Sequence, residues 1–157
     1  MMKMPIEIIN YDLTKDYDAV KELMMELTNF LNQRFDERRF TLTLSRRMSD
    51  PINNEGIILA KDGDKAVGMI WGEVMSTPTK HGQIANFVIT KNYRGKGIGR
   101  DLIRSVIKFF VKNNASHVQI NARNMEKEGK LYEKYGFKKQ YVVMERKLSM
   151  DYFEETY

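Results

Sequence analysis

Residues 94 to 100, Arg94-Gly95-Lys96-Gly97-Ile98-Gly99-Arg100, interleave three glycines with three basic side chains. Glycine at alternate positions lets neighbouring backbone N–H groups turn to one side with no Cβ in the way. The helical pattern that opens at Ile98 adds unpaired first-turn amides and the positive end of the helix dipole. The chemistry of such a stretch is capture of an anion, with phosphate and diphosphate the natural ligands. It is not the dinucleotide fingerprint G-x-G-x-x-G, and no G-K-[ST] triplet exists for a P-loop.

Other chemistries are bounded by composition. The 157 residues contain no cysteine, so disulfides, thiolate metal sites and a cysteine nucleophile are excluded. His81 and His117 are the only imidazoles, which leaves little for a zinc site or a Ser-His-Asp triad. Charge is polarised along the chain. Residues 91 to 147 hold fifteen Lys or Arg against five Asp or Glu, and the remainder holds eleven against sixteen. Clustered positive charge concentrates polyanions nearby, although a solvated helix face gives the same pattern.

The elements that must position the glycine stretch follow from periodicity. "IEIINY" (6–11) opens as a strand, and Asp16 stands where it caps a helix carrying Val20, Leu23, Met24, Leu27, Phe30 and Leu31 at helical spacing. A short second helix is predicted over 41–49, ended by Pro51 and "NNEG". "GIILAK" and "AVGMIWGEV" flank "DGDK", a hairpin turning at Asp62-Gly63, and "GQIANFVIT" (82–90) is the next strand. Ile98, Leu102, Val106, Phe109 and Phe110 define a helix that shows Arg100, Arg104 and Lys108 on another side. "HVQIN" is a strand, "MEKEGKLYEKY" (125–135) a helix stopped by Gly136, and 137–148 a final strand or hairpin. The order β-α-α-β-β-β-α-β-α-β is an α/β fold with an antiparallel first half. At 18.5 kDa with 42% apolar residues it fits one domain with a real core.

Two stretches together resemble a known family. Arg94 to Gly99 matches the R/Q-x-x-G-x-G/A acetyl-CoA signature of the GNAT N-acetyltransferases, and "LYEKYGF" (131–137) matches that family's L-Y-x-x-x-G-F segment downstream. The resemblance spans residues 1–148 and implies a mixed, mostly antiparallel central sheet split into a V, flanked by about four helices, with coenzyme A in the split. It implies that the amides of Gly95, Lys96, Gly97, Ile98, Gly99 and Arg100 hold the pyrophosphate, with Arg94 and Lys96 lining the site. Phe87, Val88 and Ile89 would offer backbone groups to the pantetheine arm as to an added strand, an amide near Val88 serving the thioester carbonyl. Asn124 stands where the family often places a cofactor contact and is also a candidate helix N-cap. Tyr132 matches the tyrosine near the coenzyme sulfur; a phenol of pKa ~10 stays protonated at neutral pH and can protonate a departing thiolate. Met125 and Glu128 depart from the pattern, standing where asparagine and alanine are common.

Transfer to an amine also needs a proton acceptor. The family's frequent glutamate is missing from "QIANFVIT", which offers Gln83, Ala85 and Asn86. Glu73 on the preceding strand is the first candidate, followed by His81 and Glu37, with a water relay as the alternative. The expectation is therefore acetyl transfer from acetyl-CoA by direct attack of a primary amine, on a small molecule or on a protein. An inactive acyl-CoA-binding protein and a basic nucleic-acid module are the competing classes; the second lacks any recognition motif, so no nucleic-acid partner is expected. No ~20-residue apolar run or signal-peptide core occurs, so the reading is a cytoplasmic protein without membrane contact. The acidic, aromatic tail 149–157 is a separate segment, a candidate contact with a second copy in a homodimer or a disordered end.

Overall fold

The computed structural model describes residues 5–122 and 125–148. In chain order the elements are β1 (Glu7–Asn10), α1 (Tyr17–Phe30), α2 (Glu37–Met48), β2 (Ile57–Asp62), β3 (Lys65–Met75), β4 (His81–Ile89), α3 (Ile98–Lys112), β5 (Val118–Ile120) and α4 (Lys130–Lys134). The strands lie in the order β1-β2-β3-β4-β5. All pairs are antiparallel except β4 with β5, which α3 joins as a crossover. The mixed, mostly antiparallel sheet with four helices agrees with the expectation.

Both faces of the sheet are covered, which explains why β2 and β3 read as nearly continuous apolar runs. Alternate residues go to opposite sides: Ile57, Leu59, Met69 and Trp71 pack with Val20, Leu23, Phe40 and Leu44 of α1 and α2. Ile58, Ala60, Val67 and Ile70 pack with Leu102, Val106 and Phe110 of α3. The α3 packing is close. A Cβ added to Gly82 would lie 2.6 Å from the ring of Phe110, a side chain only 1% exposed. Gly82→Ala is therefore expected to lower unfolding stability by about 1–3 kcal/mol in a urea titration, since overpacking outweighs the entropy that alanine removes from the unfolded chain. An unchanged midpoint would show that the ring yields freely.

The V arises in β4. β4 and β5 pair only over Gly82–Ile84 and Val118–Ile120, while β4 runs on to Ile89. Just past the last pair, the register with β3 slips between Met69 and Trp71, and Asn86 takes a left-handed φ of +52°. This bulge bends β4 away from β5 and leaves its outer edge open.

Three local expectations are corrected. Asp16 occupies the N-cap position of α1, yet its side chain makes no cap hydrogen bond. It is fully buried, pairs with Lys61 Nζ at 2.5 Å and accepts the Asp12 N–H at 2.9 Å. A register slip between Ala60 and Lys61 accompanies the ammonium's inward turn. The second helix starts at Glu37, four residues before the predicted start, because Asp36 accepts the Arg39 N–H at 3.1 Å as a true cap. Residues 138–148 form no strand. The run Tyr141–Met144 has strand-forming residue types, but the segment pairs with no strand, and Val143 and Met144 stand 78% and 93% exposed; propensity alone does not make a strand. Asn124 and the tail 149–157 lie outside the described residues.

Candidate functional site

Between β4 and α3 the chain makes one turn at Lys91–Tyr93, then passes through Gly95 (φ +74°) and Gly97 (φ +86°) into the helix. A Cβ on Gly95 would meet nothing within 4 Å, so conformation and not space demands glycine there. Gly99 has the opposite reason. A Cβ on it would lie 2.6 Å from the Tyr135 hydroxyl and 3.3 Å from the Phe87 ring, so α4 and β4 close directly onto its backbone. Among the described residues, the six amides from Gly95 to Arg100 donate to no acceptor. The first amide of this segment to find one is that of Asp101, which donates to Gly97 O at 3.2 Å. Six unpaired donors at the positive end of a 15-residue helix are an arrangement that can accept an anion.

The basic side chains divide. Lys96 stays at the rim, its ammonium 5.4 Å from the Tyr93 ring centre, and Lys65 of the β2–β3 hairpin approaches the same ring at 5.7 Å. The Tyr93 hydroxyl donates to Asp62 at 2.6 Å, which ties the loop to that hairpin; this bond and burial raise the Tyr93 pKa. Arg94 is drawn away to α1: Nε donates to Ile89 O at 2.8 Å, the guanidinium stands 3.7 Å from Glu26, and it lies over Phe30.

On β4, Thr90 donates its N–H to Val67 O across the β3 edge. Strand alternation turns Val88, paired with Met69, the same way. The backbone of Ile89 therefore faces the open side, and the Arg94 bond to Ile89 O marks that direction. Phe87 also meets the Tyr135 ring edge-on at 6.3 Å, so cradle, open edge and α4 converge.

Tyr132 sits on α4, 9% exposed, and its hydroxyl donates to Glu128 Oε2 at 2.7 Å. Burial, then the hydrogen bond and charge of Glu128, push the phenol well above its ordinary pKa. The helix end is locked by two bonds, Phe137 N–H to Tyr132 O and Gly136 N–H to Glu133 O, with Gly136 at φ +93°.

The three proton-acceptor candidates lie apart from this cluster. Glu73 is paired with Gln83, before the fork, its carboxylate 4.0 Å from Arg47. That guanidinium is mostly buried, donates to Gly72 O and to Asn53 O, and has its pKa lowered by burial. His81 is buried at the start of β4, stacked 5.1 Å from His117, with Nδ1 2.8 Å from Thr79 O. Glu37 is engaged by Lys21 at 2.7 Å on the surface. Tyr135, Arg47 and Asn86 emerge only from the fold; nothing in their spacing marks them.

With this geometry in view, the chain matches the model of the family described as "Acetyltransferase (GNAT) family" over residues 18–137. It belongs to the GNAT acetyltransferases. Its reaction class is acyl transfer, and the GNAT family uses acetyl-CoA as donor. No curated protein sequence matches the chain. Solved structures do. A glucosamine-6-phosphate N-acetyltransferase from Arabidopsis thaliana superposes with a TM-score of 0.70 at 15% identity, covering 93% of this chain and 100% of that one. A ribosomal-protein-alanine N-acetyltransferase from Brucella melitensis biovar Abortus 2308 gives 0.71 at 18%, covering 92% and 100%. AAC(6')-Iy, solved with the bisubstrate analog CoA-S-monomethyl-acetylneamine, gives 0.76 at 12%, covering 93% and 100%. At these identities the likeness establishes the fold alone. Among the described residues, no helix is long and apolar enough to cross a membrane, and no cluster of three or more His, Asp or Glu could hold a metal.

Proposed function

We propose that this chain transfers the acetyl group of acetyl-CoA to a primary amine by direct attack in a ternary complex. The observation that carries it is the row of six unpaired amides from Gly95 to Arg100, set beside the open edge of β4. Unpaired donors in a row suit a diphosphate, and an open strand edge suits the amides of a pantetheine arm.

Acetyl-CoA supplies a thioester whose carbonyl carbon takes the amine and whose sulfur departs with the electron pair. The chain's residues do the rest. The cradle amides hold phosphate oxygens, with Lys96 adding charge at the rim. Phe87 and Ile89 present the backbone ladder. Val88 pairs with Met69 on β3, so the donor for the thioester carbonyl falls to the neighbouring amide in the bulge, the Phe87 N–H. Tyr132 holds a proton at Oη and provides it to the sulfur. Glu128 accepts that same hydroxyl here, so delivery requires the 2.7 Å bond to open. A phenol held above its ordinary pKa gives up its proton less readily to a thiolate of pKa ~8.5, which makes Glu128 a restraint on the step. No carboxylate stands at Gln83, Ala85 or Asn86, so the proton shed by the amine leaves through water or towards Glu73.

The acceptor is a primary amine on a small molecule or on a protein. The names of the three similar structures cover an amino sugar phosphate, an alanine of a ribosomal protein and an aminoglycoside, so the shared fold does not choose between them. A thiol-release assay with acetyl-CoA and a panel of kanamycin, glucosamine 6-phosphate, spermidine and an alanyl peptide tests the reading. Amine-dependent release supports it. Tight coenzyme A binding without release by any amine would favour an acyl-CoA-binding protein instead.

A further inference from the structure

Among the described residues, three that are not glycine stand at left-handed φ: Asn32, Asn86 and Asn114. Two are ordinary. Asn32 and Asn114 follow the C-caps of α1 and α3, where asparagine commonly ends a helix. Asn86 has no such reason. It lies inside a strand, at φ +52°, one residue before Phe87 and two after the last residue that pairs with β5. At Gly63, Gly95, Gly97 and Gly136 the chain uses glycine for positive φ, the residue that adopts it at no steric cost. A side chain kept on a bulge at the fork of the sheet is an outlier that points to use.

That side chain is half-buried, and among the described residues its carboxamide has no hydrogen-bond partner. The groups around it are known. Ala85 before it carries nothing polar, Phe87 after it packs on Tyr135, and across the ladder stand Trp71 and Met69. Asn86 is thus a polar side chain without a partner, on the strand segment where the reading above puts the thioester.

We propose that Asn86 is a specificity-determining residue for the acceptor: its side-chain carbonyl oxygen accepts an N–H of the incoming amine and turns the nitrogen lone pair towards the acyl carbon. This rests on the acetyltransferase reading. In the step, the N–C bond forms, the C–S bond breaks, Tyr132 protonates the sulfur, and the amine's surplus proton passes to water. A carboxamide orients the amine without taking that proton.

Two substitutions test it, with the best acceptor of the four-amine panel as probe. Asn86→Gly keeps the left-handed φ at no steric cost and removes only the carboxamide. Its thermal midpoint and its affinity for coenzyme A by titration calorimetry are expected to match the parent, while KM for the amine rises roughly five- to tenfold, the loss of one uncharged hydrogen bond. Asn86→Asp keeps the shape and adds a base, so the acid limb of the kcat/KM profile moves to lower pH. Unchanged amine KM in Asn86→Gly overturns the proposal and leaves Asn86 a backbone device. A parallel loss of coenzyme A affinity overturns it as well. If the parent protein binds no coenzyme A, or acetylates none of the four amines, the acetyltransferase reading falls first and takes this inference with it.

Discussion

Gly97→Asp weakens coenzyme A binding at least a hundredfold. The residue stands at φ +86° immediately before α3, in the middle of the unpaired amides. A carboxylate within about 5 Å of a phosphate charge costs about 3 kcal/mol per pair at an effective dielectric of ~20. At about 1.4 kcal/mol per decade, one such pair exceeds a factor of a hundred. Gly97→Asn is the control. Asparagine has nearly the same shape and the same tolerance of left-handed backbone, so it reports strain without charge and is expected to stay within about tenfold of the parent. Titration calorimetry reads both. Equal affinities for the aspartate variant and the parent would mean that the phosphates bind elsewhere.

Tyr132→Phe lowers turnover roughly ten- to a thousandfold, the range a positioned general acid supplies. The ring stays, so its edge-on contact with Phe137 and the closing bonds at Gly136 are retained, and coenzyme A affinity is expected to hold. A companion variant separates chemistry from packing. Glu128→Ala removes the carboxylate that holds the hydroxyl at 2.7 Å and, with burial, lifts its pKa. If the phenol delivers the proton, this variant turns over faster than the parent in a stopped-flow thiol-release assay. Full activity of Tyr132→Phe would take the hydroxyl out of the reaction and leave the Glu128 bond a structural one.

The glycine turn into the third helix was legible because its signal is local. Positive φ at Gly95 and Gly97 and a helix opening at Ile98 need no tertiary partner to be read. The β2–β3 hairpin was legible for the same reason, in two apolar runs flanking Asp62-Gly63. What failed depended on partners distant in sequence. Asp16 looked like a cap until Lys61, 45 residues away, claimed it. The second reason for glycine at position 99, the close approach of the Tyr135 hydroxyl, was not legible either. Residues 138–148 had the residue types of a strand, and in the fold they pair with none. The early start of α2 was hidden because Glu37, Arg38 and Arg39 carry no apolar periodicity, and only the Asp36 cap marks it. Asn86 carries no one-dimensional signal, since a bulge is a relation between two strands.

The brevity of the β4–β5 ladder also bears on how a ligand gets in. Three residue pairs join β5 to the rest of the sheet, against seven between β3 and β4. Beyond Ile84 no described pair ties β4 to β5, so the wedge stands open while the layers on either side stay packed. A long, thin molecule can thus be threaded sideways into the wedge and gripped along its length, with no need for the protein to unfold around it.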